Sequence, residues 1–448
     1  MGYFPRDYGL LRIASTGVAA DTGGKTDSIA SKLRCFSKKA ATAIMSLRTN
    51  FTLHCRWLNI FIVGLLVAVL PVVAGHVSSA SAQDASAFTT KAPRAILVEA
   101  ATGAVLFQSR ADELAAPASM SKLMTLAVLF KAMKDGKISP SDEFVMSENA
   151  WRTGGAPSRT SAMFVPINTK ARVDELIQGI AVQSGNDAAI SVAEGIAGSE
   201  GAFAKLMTAE ARRIGMPQST FGNATGLPNA QQLMTARELA ILARYLVIEY
   251  PDRYAVFGQR EFLYRKHRFF NRNPLLSLDI GADGLKTGHT KEAGYGLVAS
   301  AIREGKRLIV VVMGLENENQ RRDEAARLLE WGFKSFNTVR VFDDGEVVGH
   351  ARVWGGSTMY VPLAGKGDIT LLLPKQPANQ RLSAEIVYKA PLKPPVKKGD
   401  QVATLRITST SSAQSEVPLY ATEDVEKAGI AKQGIDTLVL MALRRLAL

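Results

Sequence analysis

The apolar period of the chain changes twice, and those changes limit what it can fold into. "AILVEA" (Ala95 to Ala100) and "AVLFQS" (Ala104 to Ser109) read as short strands, with Ala101-Thr102-Gly103 between them as a hairpin signal. From Ser141 to about Leu246 the apolar residues recur at helical spacing instead. "VDELIQGIAVQ", "DAAISVAEGIAG", "AFAKLMTAEARRIG" and "TARELAILARYLV" all show it, each broken by Gly or Pro. After Gly281 the strand period returns in "GLVASAI" and "RLIVVVMG", joined at Glu304-Gly305, and "RRDEAARLLEWGFKSF" closes the unit as a helix. Strands that bracket a run of helices can bury their apolar faces only by meeting in one sheet. The expected class is therefore α+β, with an antiparallel sheet flanked by helices and a helical lobe inserted between its strands. From about Val339 the character changes to short strands and turns, in "VRVF", "ITLLLP", "AEIVYKA" and "QVATLRIT", which predicts a small all-β module. The Pro- and Lys-rich "APLKPPVKKGD" within it reads as a loop.

The first residues behave differently. "WLNIFIVGLLVAVLPVVAG" from Trp57 is uncharged and apolar; Arg48 and Arg56 precede it, and small residues ending Ala80-Ser81-Ala82 follow. That order is the order of a secretory signal, with cleavage expected after Ala82; an uncleaved anchor is the competing reading, since the run is almost long enough to span a bilayer. The stretch before the signal is unusually long, and a start at Met45 would give an ordinary one. Both cysteines, Cys35 and Cys55, precede the cut, so an exported chain would hold neither a disulfide nor a thiol nucleophile. The formal charge is +13, and residues 1 to 57 hold nine Lys/Arg against three Asp/Glu, so roughly half of the excess would leave with the signal. The remaining basic excess fits a solvated surface or attraction to anionic lipid or wall polymer, and no nucleic-acid partner is read from it.

Chemistry enters at "PASMSKLMT" (Pro117 to Thr125). Leu123, Leu126, Ala127 and Phe130 continue at helical spacing, so Ser119 and Lys122, three apart, share one side of a helix. An N-cap role would account for Ser119 but not for Lys122, and a lysine held against an apolar face loses solvation and becomes a candidate base. Two further clusters follow in order: "QSGNDA" with Ser184, Gly185 and Asn186, and "DGLKTGHT" with Lys286, Thr287, Gly288 and His289. Read blandly, the first is a turn and the second an exposed strand end. "AADTGGKT" (Ala19 to Thr26) has the ending of a phosphate-binding loop but begins with Ala, and no strand is expected before it, so it is set aside. The five histidines show no metal-ligand spacing and no cofactor motif is found.

Ser-x-x-Lys, Ser-x-Asn and Lys-Thr-Gly in this order resemble the penicillin-recognising serine enzymes. "PASMSKLMT", "VQSGNDA", "GLKTGHT" and the following "AGYGLVASA" are similar to the serine D-alanyl-D-alanine carboxypeptidases, the low-molecular-mass penicillin-binding proteins, over about residues 88 to 337. The resemblance implies a penicillin-binding/β-lactamase-like transpeptidase domain at 83–337 after an N-terminal extension and signal at 1–82. A β-rich domain at 338–420 and an amphipathic membrane-associating helix at 421–448 would follow. It implies Ser119 as nucleophile, Lys122 as its base and Ser184 as proton relay. Asn186, Lys286, Thr287, Gly288 and His289 would hold the substrate, and the backbone N–H groups of Ser119 and His289 would form the oxyanion hole. The expected partners are peptidoglycan stem peptides, with β-lactams as covalent inhibitors, and the expected place is the periplasm, on the outer face of the inner membrane. The expected role is in wall maturation and cell shape.

Three rivals use the same residues. A β-lactamase needs a second base, and between Ser184 and Lys286 no Glu is followed four residues on by Asn. An endopeptidase on D-Ala cross-links would use the same machinery. A non-catalytic penicillin or peptidoglycan sensor would have no need of Ser184. Finally, "ATEDVEKAGIAKQGIDTLVLMALRRLAL" after Tyr420 predicts a helix capped by Thr422, with Ile435, Leu438, Val439, Ala442 and Leu446 on one face opposite Gln433, Asp436 and Thr437. It is too short to span a bilayer and would lie on an anionic membrane surface, Arg444 and Arg445 meeting lipid phosphate; packing against the β module is the alternative.

Overall fold

The computed structural model describes residues 8–19, 88–375, 379–409 and 414–446. The apolar run from Trp57, the Ala80-Ser81-Ala82 exit, both cysteines and all of the Ala19–Thr26 loop except Ala19 lie outside the described residues.

The strands that bracket the helices do meet in one antiparallel sheet. Its spatial order is Val105–Ser109, Arg94–Glu99, Lys306–Leu315, Gly294–Arg303 and Ala282–Thr290. Successive side chains of a strand face opposite ways, and here both faces are covered, which is why the central strands are apolar without alternation. Ile96, Val98, Val298, Ile309 and Val311 join the core of the helical lobe. Leu97, Leu297, Ala299, Leu308 and Val310 pack on the other side against Ala325, Leu328 and Leu329 of the helix Glu318–Ser335. The turn between the last two long strands sits at Glu304 and Gly305, both with positive φ, as a tight hairpin requires.

The helix Lys122–Lys134 occupies the middle of the lobe. Ten of its thirteen residues are buried, Lys122 and Thr125 among them. The helices Asn186–Ala197, Glu200–Arg213 and Ala236–Glu249 surround it. A helix apolar on all sides has no stable place except an interior. Side-chain caps start two of these neighbours, Ser199 accepting from Ala202 N (3.2 Å) and Thr235 from Glu238 N (3.0 Å), and across the sheet Asn317 accepts from Gln320 N (2.9 Å).

The β-rich part has its own core around Val361, Leu363, Ile386, Leu405 and Leu419. Its six-stranded sheet runs in the order Tyr8–Ala19, Asn379–Lys389, Gln401–Ser409, Gln414–Ala421, Tyr360–Ala364, Val347–Arg352. The edge strand Tyr8–Ala19 corrects the expectation that no strand precedes the Ala19–Thr26 loop. Its terminal Ala and its place ahead of the apolar run remain the grounds for setting that loop aside.

Three further differences have local causes. Within the stretch read as helical, Glu143–Val145 pairs with Lys170–Arg172, and the hairpin Glu261–Tyr264/His267–Phe270 precedes the last three strands of the sheet. These runs are three or four residues long, too short for a period to show. The C-terminal helix starts at Ile430, not at Thr422. Thr422 Oγ1 donates to Pro362 O (3.2 Å) instead of capping a helix. Val425 is fully buried and its backbone pairs in both directions with Val396, so these contacts hold the segment extended. On the helix itself, Asp436 accepts from Gly355 N (3.0 Å) and Thr437 Oγ1 from Trp354 Nε1 (3.2 Å), while Ile435 and Leu438 are 60% and 68% exposed. The polar face is thus the one docked on the β-rich part. Among the described residues no helix is long and apolar enough to cross a membrane.

Candidate active site

Ser119 lies in a single 3-10 turn, Ala118–Ser121, that leads into the Lys122 helix. It makes no side-chain cap; the N-cap position of the α-helix is Ser121. Nζ of Lys122 is 2.9 Å from Ser119 Oγ and also donates to the carbonyl of Thr225. Lys122 is fully buried. Burial disfavours the ammonium, the positive Arg272 adds to the effect, and Glu200 and Asp187 partly offset it, so Lys122 is held down at about 7. A neutral amine there can donate one N–H to Thr225 and turn its lone pair to the Ser119 hydroxyl.

The turn is tightly enclosed. Ala118 has φ 47°. A Cβ on Gly226 would lie 2.0 Å from Ala118 O, and Gly226 itself has φ +77°. Across the site, a Cβ on Gly288 would come 2.7 Å from Pro117 O. Glycine at 288 therefore lets the strand Ala282–Thr290 lie directly against the Ser119 turn. That strand ends the sheet, so among the described residues its outer edge is unpaired.

The second cluster is set by a change of helical type. Val173–Gln178 is α-helical, Gly179–Gln183 makes a wider π turn, and Ser184 follows in the left-handed region at φ 64°. The helix Asn186–Ala197 then begins. Its Asp187, fully buried, accepts from Met163 N (2.8 Å), Val165 N (3.3 Å) and Ala188 N (2.9 Å). Burial raises the Asp187 pKa and these donors counter it. Asn186 Nδ2 donates to Thr160 Oγ1 (2.8 Å). Ser184 Oγ and Asn186 Oδ1 are both buried with no hydrogen-bond partner among the described residues.

A cavity of about 620 Å³ opens between these parts. Of the eight residues singled out in the sequence, Ser119, Ser184, Asn186, Thr287, Gly288 and His289 line it. Lys122 and Lys286 stand behind its wall, both nearly inaccessible. Lys286 Nζ donates to Thr287 O (3.1 Å), and burial, then the positive Lys122, Arg272 and Arg321, push its pKa well down. The His289 ring lies flat on Tyr295 at 3.9 Å, and the Arg321 guanidinium is 5.6 Å from the Tyr295 ring centre.

Four groups here have no motif to announce them. Arg272 donates to Ser161 Oγ (2.6 Å) at the cavity wall. Arg321, 5% exposed, reaches the wall from the helix Glu318–Ser335. Thr160 orients Asn186. Thr225 acts through its carbonyl, which any residue would supply. Arg272 and Arg321 make this end of the cavity positive, and among the described residues lining it the one carboxylate is Glu318, 3.5 Å from Arg321. Such a place suits an anionic group.

Residues 79–317 match the family model described as D-alanyl-D-alanine carboxypeptidase. The chain belongs to that family. Residues 336–427 match the model for the C-terminal domain of penicillin-binding protein 5. D-alanyl-D-alanine carboxypeptidase DacC of Escherichia coli K12 is 36% identical over 352 residues, 78% of this chain and 88% of that protein. DacF of Bacillus subtilis is 33% identical over 344 residues, 76% and 87% of the two chains. Among solved structures, penicillin-binding protein 5 of Haemophilus influenzae aligns with TM-score 0.64 and 32% identity, covering 76% of this chain and 99% of that one. Penicillin-binding protein D2 of Listeria monocytogenes, solved with ampicillin bound, aligns with TM-score 0.50 and 27% identity over 55% of this chain and 100% of that one. The chain is a serine-type D-Ala-D-Ala carboxypeptidase of the penicillin-binding protein 5 type, a hydrolase.

With the Lys122 amine held at about 7, a role as base predicts a pH profile: acylation by a penicillin should rise with pH through a midpoint near that value as Lys122 loses its proton. Lys122→Arg, which stays charged, should acylate at least about a hundredfold more slowly at every pH tested. Stopped-flow labelling with a fluorescent penicillin measures both.

Proposed function

We propose that this carboxypeptidase is exported and removes the terminal D-alanine from peptidoglycan pentapeptide stems through an acyl-enzyme on Ser119. The observation that carries the mechanism is the buried Lys122 amine 2.9 Å from Ser119 Oγ. Lys122 takes the hydroxyl proton as the oxygen attacks the penultimate D-Ala carbonyl. Ser184, whose hydroxyl has no partner among the described residues, relays protons to the departing D-alanine amine, and Asn186 Oδ1 accepts from the substrate amide. The stem lies as an added strand along the open edge of Ala282–Thr290, its terminal carboxylate held by Thr287, His289 and the positive potential of Lys286 and Arg272. The oxyanion is met by the backbone N–H groups of Ser119 and His289. Water then repeats the sequence and frees the enzyme.

The same path makes the enzyme penicillin-sensitive. A β-lactam acylates Ser119, and its adduct persists because, among the described residues lining the cavity, none puts a carboxylate beside Ser119 to drive water onto it; Glu318 stands with Arg321. This separates the reading from a β-lactamase. The enzyme works in wall maturation and the upkeep of cell shape. It sits on the outer face of the inner membrane, held by the helix Ile430–Leu446, whose Ile435 and Leu438 stay exposed while Asp436 and Thr437 dock on the β-rich part.

Ser119→Ala should abolish both penicillin labelling and release of D-alanine from a pentapeptide while leaving the melting transition in place; labelling that persists would place the nucleophile elsewhere. Deleting residues 430 to 448 should move active enzyme from washed membranes to the soluble fraction in a cell fractionation, and equal retention of the truncated form with the signal cleaved would refute the anchor.

A further inference from the structure

The carbonyl of Thr225 is the fixed partner of the Lys122 amine, and the loop that carries it has no regular structure of its own. Its shape comes from side chains. Asn223 Oδ1 accepts from Thr225 N (3.1 Å) and Gly226 N (2.7 Å), and Gln232 Oε1 accepts from Gly222 N (2.7 Å) and Asn223 N (3.1 Å). These contacts set the internal curl. Two others tie the curl to the rest of the lobe, and both grip Ala224. Thr125 Oγ1, one turn beyond Lys122 on the same helix, donates to Ala224 O (2.7 Å). Glu200 Oε1, in the first turn of the helix Glu200–Arg213, accepts from Ala224 N (2.9 Å). Residue 224 is thus clamped from both sides, and the next carbonyl along the chain is the one that meets Lys122.

We propose that Glu200 is a positioning residue for the base: it holds the Ala224–Gly226 backbone against the Lys122 helix and places a negative charge behind the amine. The inference rests on the reading of Lys122 as the base. Glu200 does not line the cavity, so it touches neither substrate nor Ser119. The charged groups that face Lys122 are Arg272 at the hairpin exit, Lys286 on the edge strand, Asp187 at the start of its helix, and Glu200. The first two oppose the ammonium and the last two favour it. Glu200 therefore has two separable effects, one through a hydrogen bond that a neutral amide can also accept, and one through a charge that the amide lacks. The pKa of Glu200 itself is raised, by burial and by the negative Glu194, and the Ala224 N–H and the positive Lys122 offset part of that rise.

The two effects divide between two variants. Glu200→Gln keeps an acceptor for Ala224 N and removes the charge, so the ammonium of Lys122 is less favoured and the neutral base appears at lower pH. Glu200→Ala removes both. Penicillin acylation rates measured from about pH 5 to about pH 10 should show Gln reaching a plateau within about threefold of the parent, with its midpoint lower by roughly half a unit or more. The Ala plateau should fall about tenfold or more, and Gln should restore it at the same position. Melting temperatures of both proteins identify any variant that does not fold, and the Gln variant keeps the test open if Ala does not. A Gln profile that superimposes on the parent, or moves to higher pH, would overturn the charge role; an Ala variant that folds and keeps the parent plateau would overturn the positioning role. Near-normal acylation by Lys122→Arg would instead overturn the base assignment itself, whatever the Glu200 variants do.

Discussion

Desolvation of one amine is the constraint on which the rest of this structure depends. A lysine in water is an ammonium at any physiological pH and cannot take a proton from serine. Buried at the head of a helix and facing Arg272, Lys122 is drawn down to about 7, where the neutral form is populated. Burial alone would leave its N–H groups without partners, which costs on the order of 1–3 kcal/mol each. The Thr225 carbonyl removes part of that penalty and fixes the direction of the amine toward Ser119.

The architecture can be understood as the means of keeping that environment dry and rigid. The Lys122 helix is wrapped by three others and backed by the sheet, so its amine is buried in the interior on every side but one. The remaining side is closed by strand and loop approaching the Ser119 turn at distances only glycine tolerates, at 226 and 288. A side chain at either position would push the wall away from Ser119. Arg272 and Arg321 at the cavity wall serve two purposes at once: they attract an anionic group, and they disfavour the ammonium form, Arg272 that of both Lys122 and Lys286 and Arg321 that of Lys286.

How much of this could be read in advance depended on where the information lies. The sheet and lobe were legible because "RLIVVVMG" and "TARELAILARYLV" are long enough for their periods to be seen, and Glu304-Gly305 is a turn by residue type. The spacing of Ser119 and Lys122, and the Ser184-Gly185-Asn186 and Lys286-Thr287-Gly288 groups, were legible because their chemistry is in their side chains. Thr225 was not, since a backbone carbonyl leaves no trace in composition. Arg272 and Arg321 were not, because they come together only when a hairpin exit and a distant helix fold onto the same cavity. The late start of the C-terminal helix was missed for another reason. Thr422 through Glu426 has every local sign of a helix start, and tertiary pairing of Val425 with Val396 overrides it. The short hairpin at Glu261–Phe270 fell below the length at which strand and helix patterns differ.

The protonation of Lys122 in the free enzyme can be observed without any reaction. With lysine labelled at Cε and Nζ, a magnetic resonance titration should show one buried lysine whose chemical shifts change near about 7, assigned by its absence in Lys122→Arg, while exposed lysines titrate near their ordinary value. If the resonance lost in that variant titrates with the exposed lysines, at about 10 or above, Lys122 is an ordinary ammonium and the serine must be activated by another group.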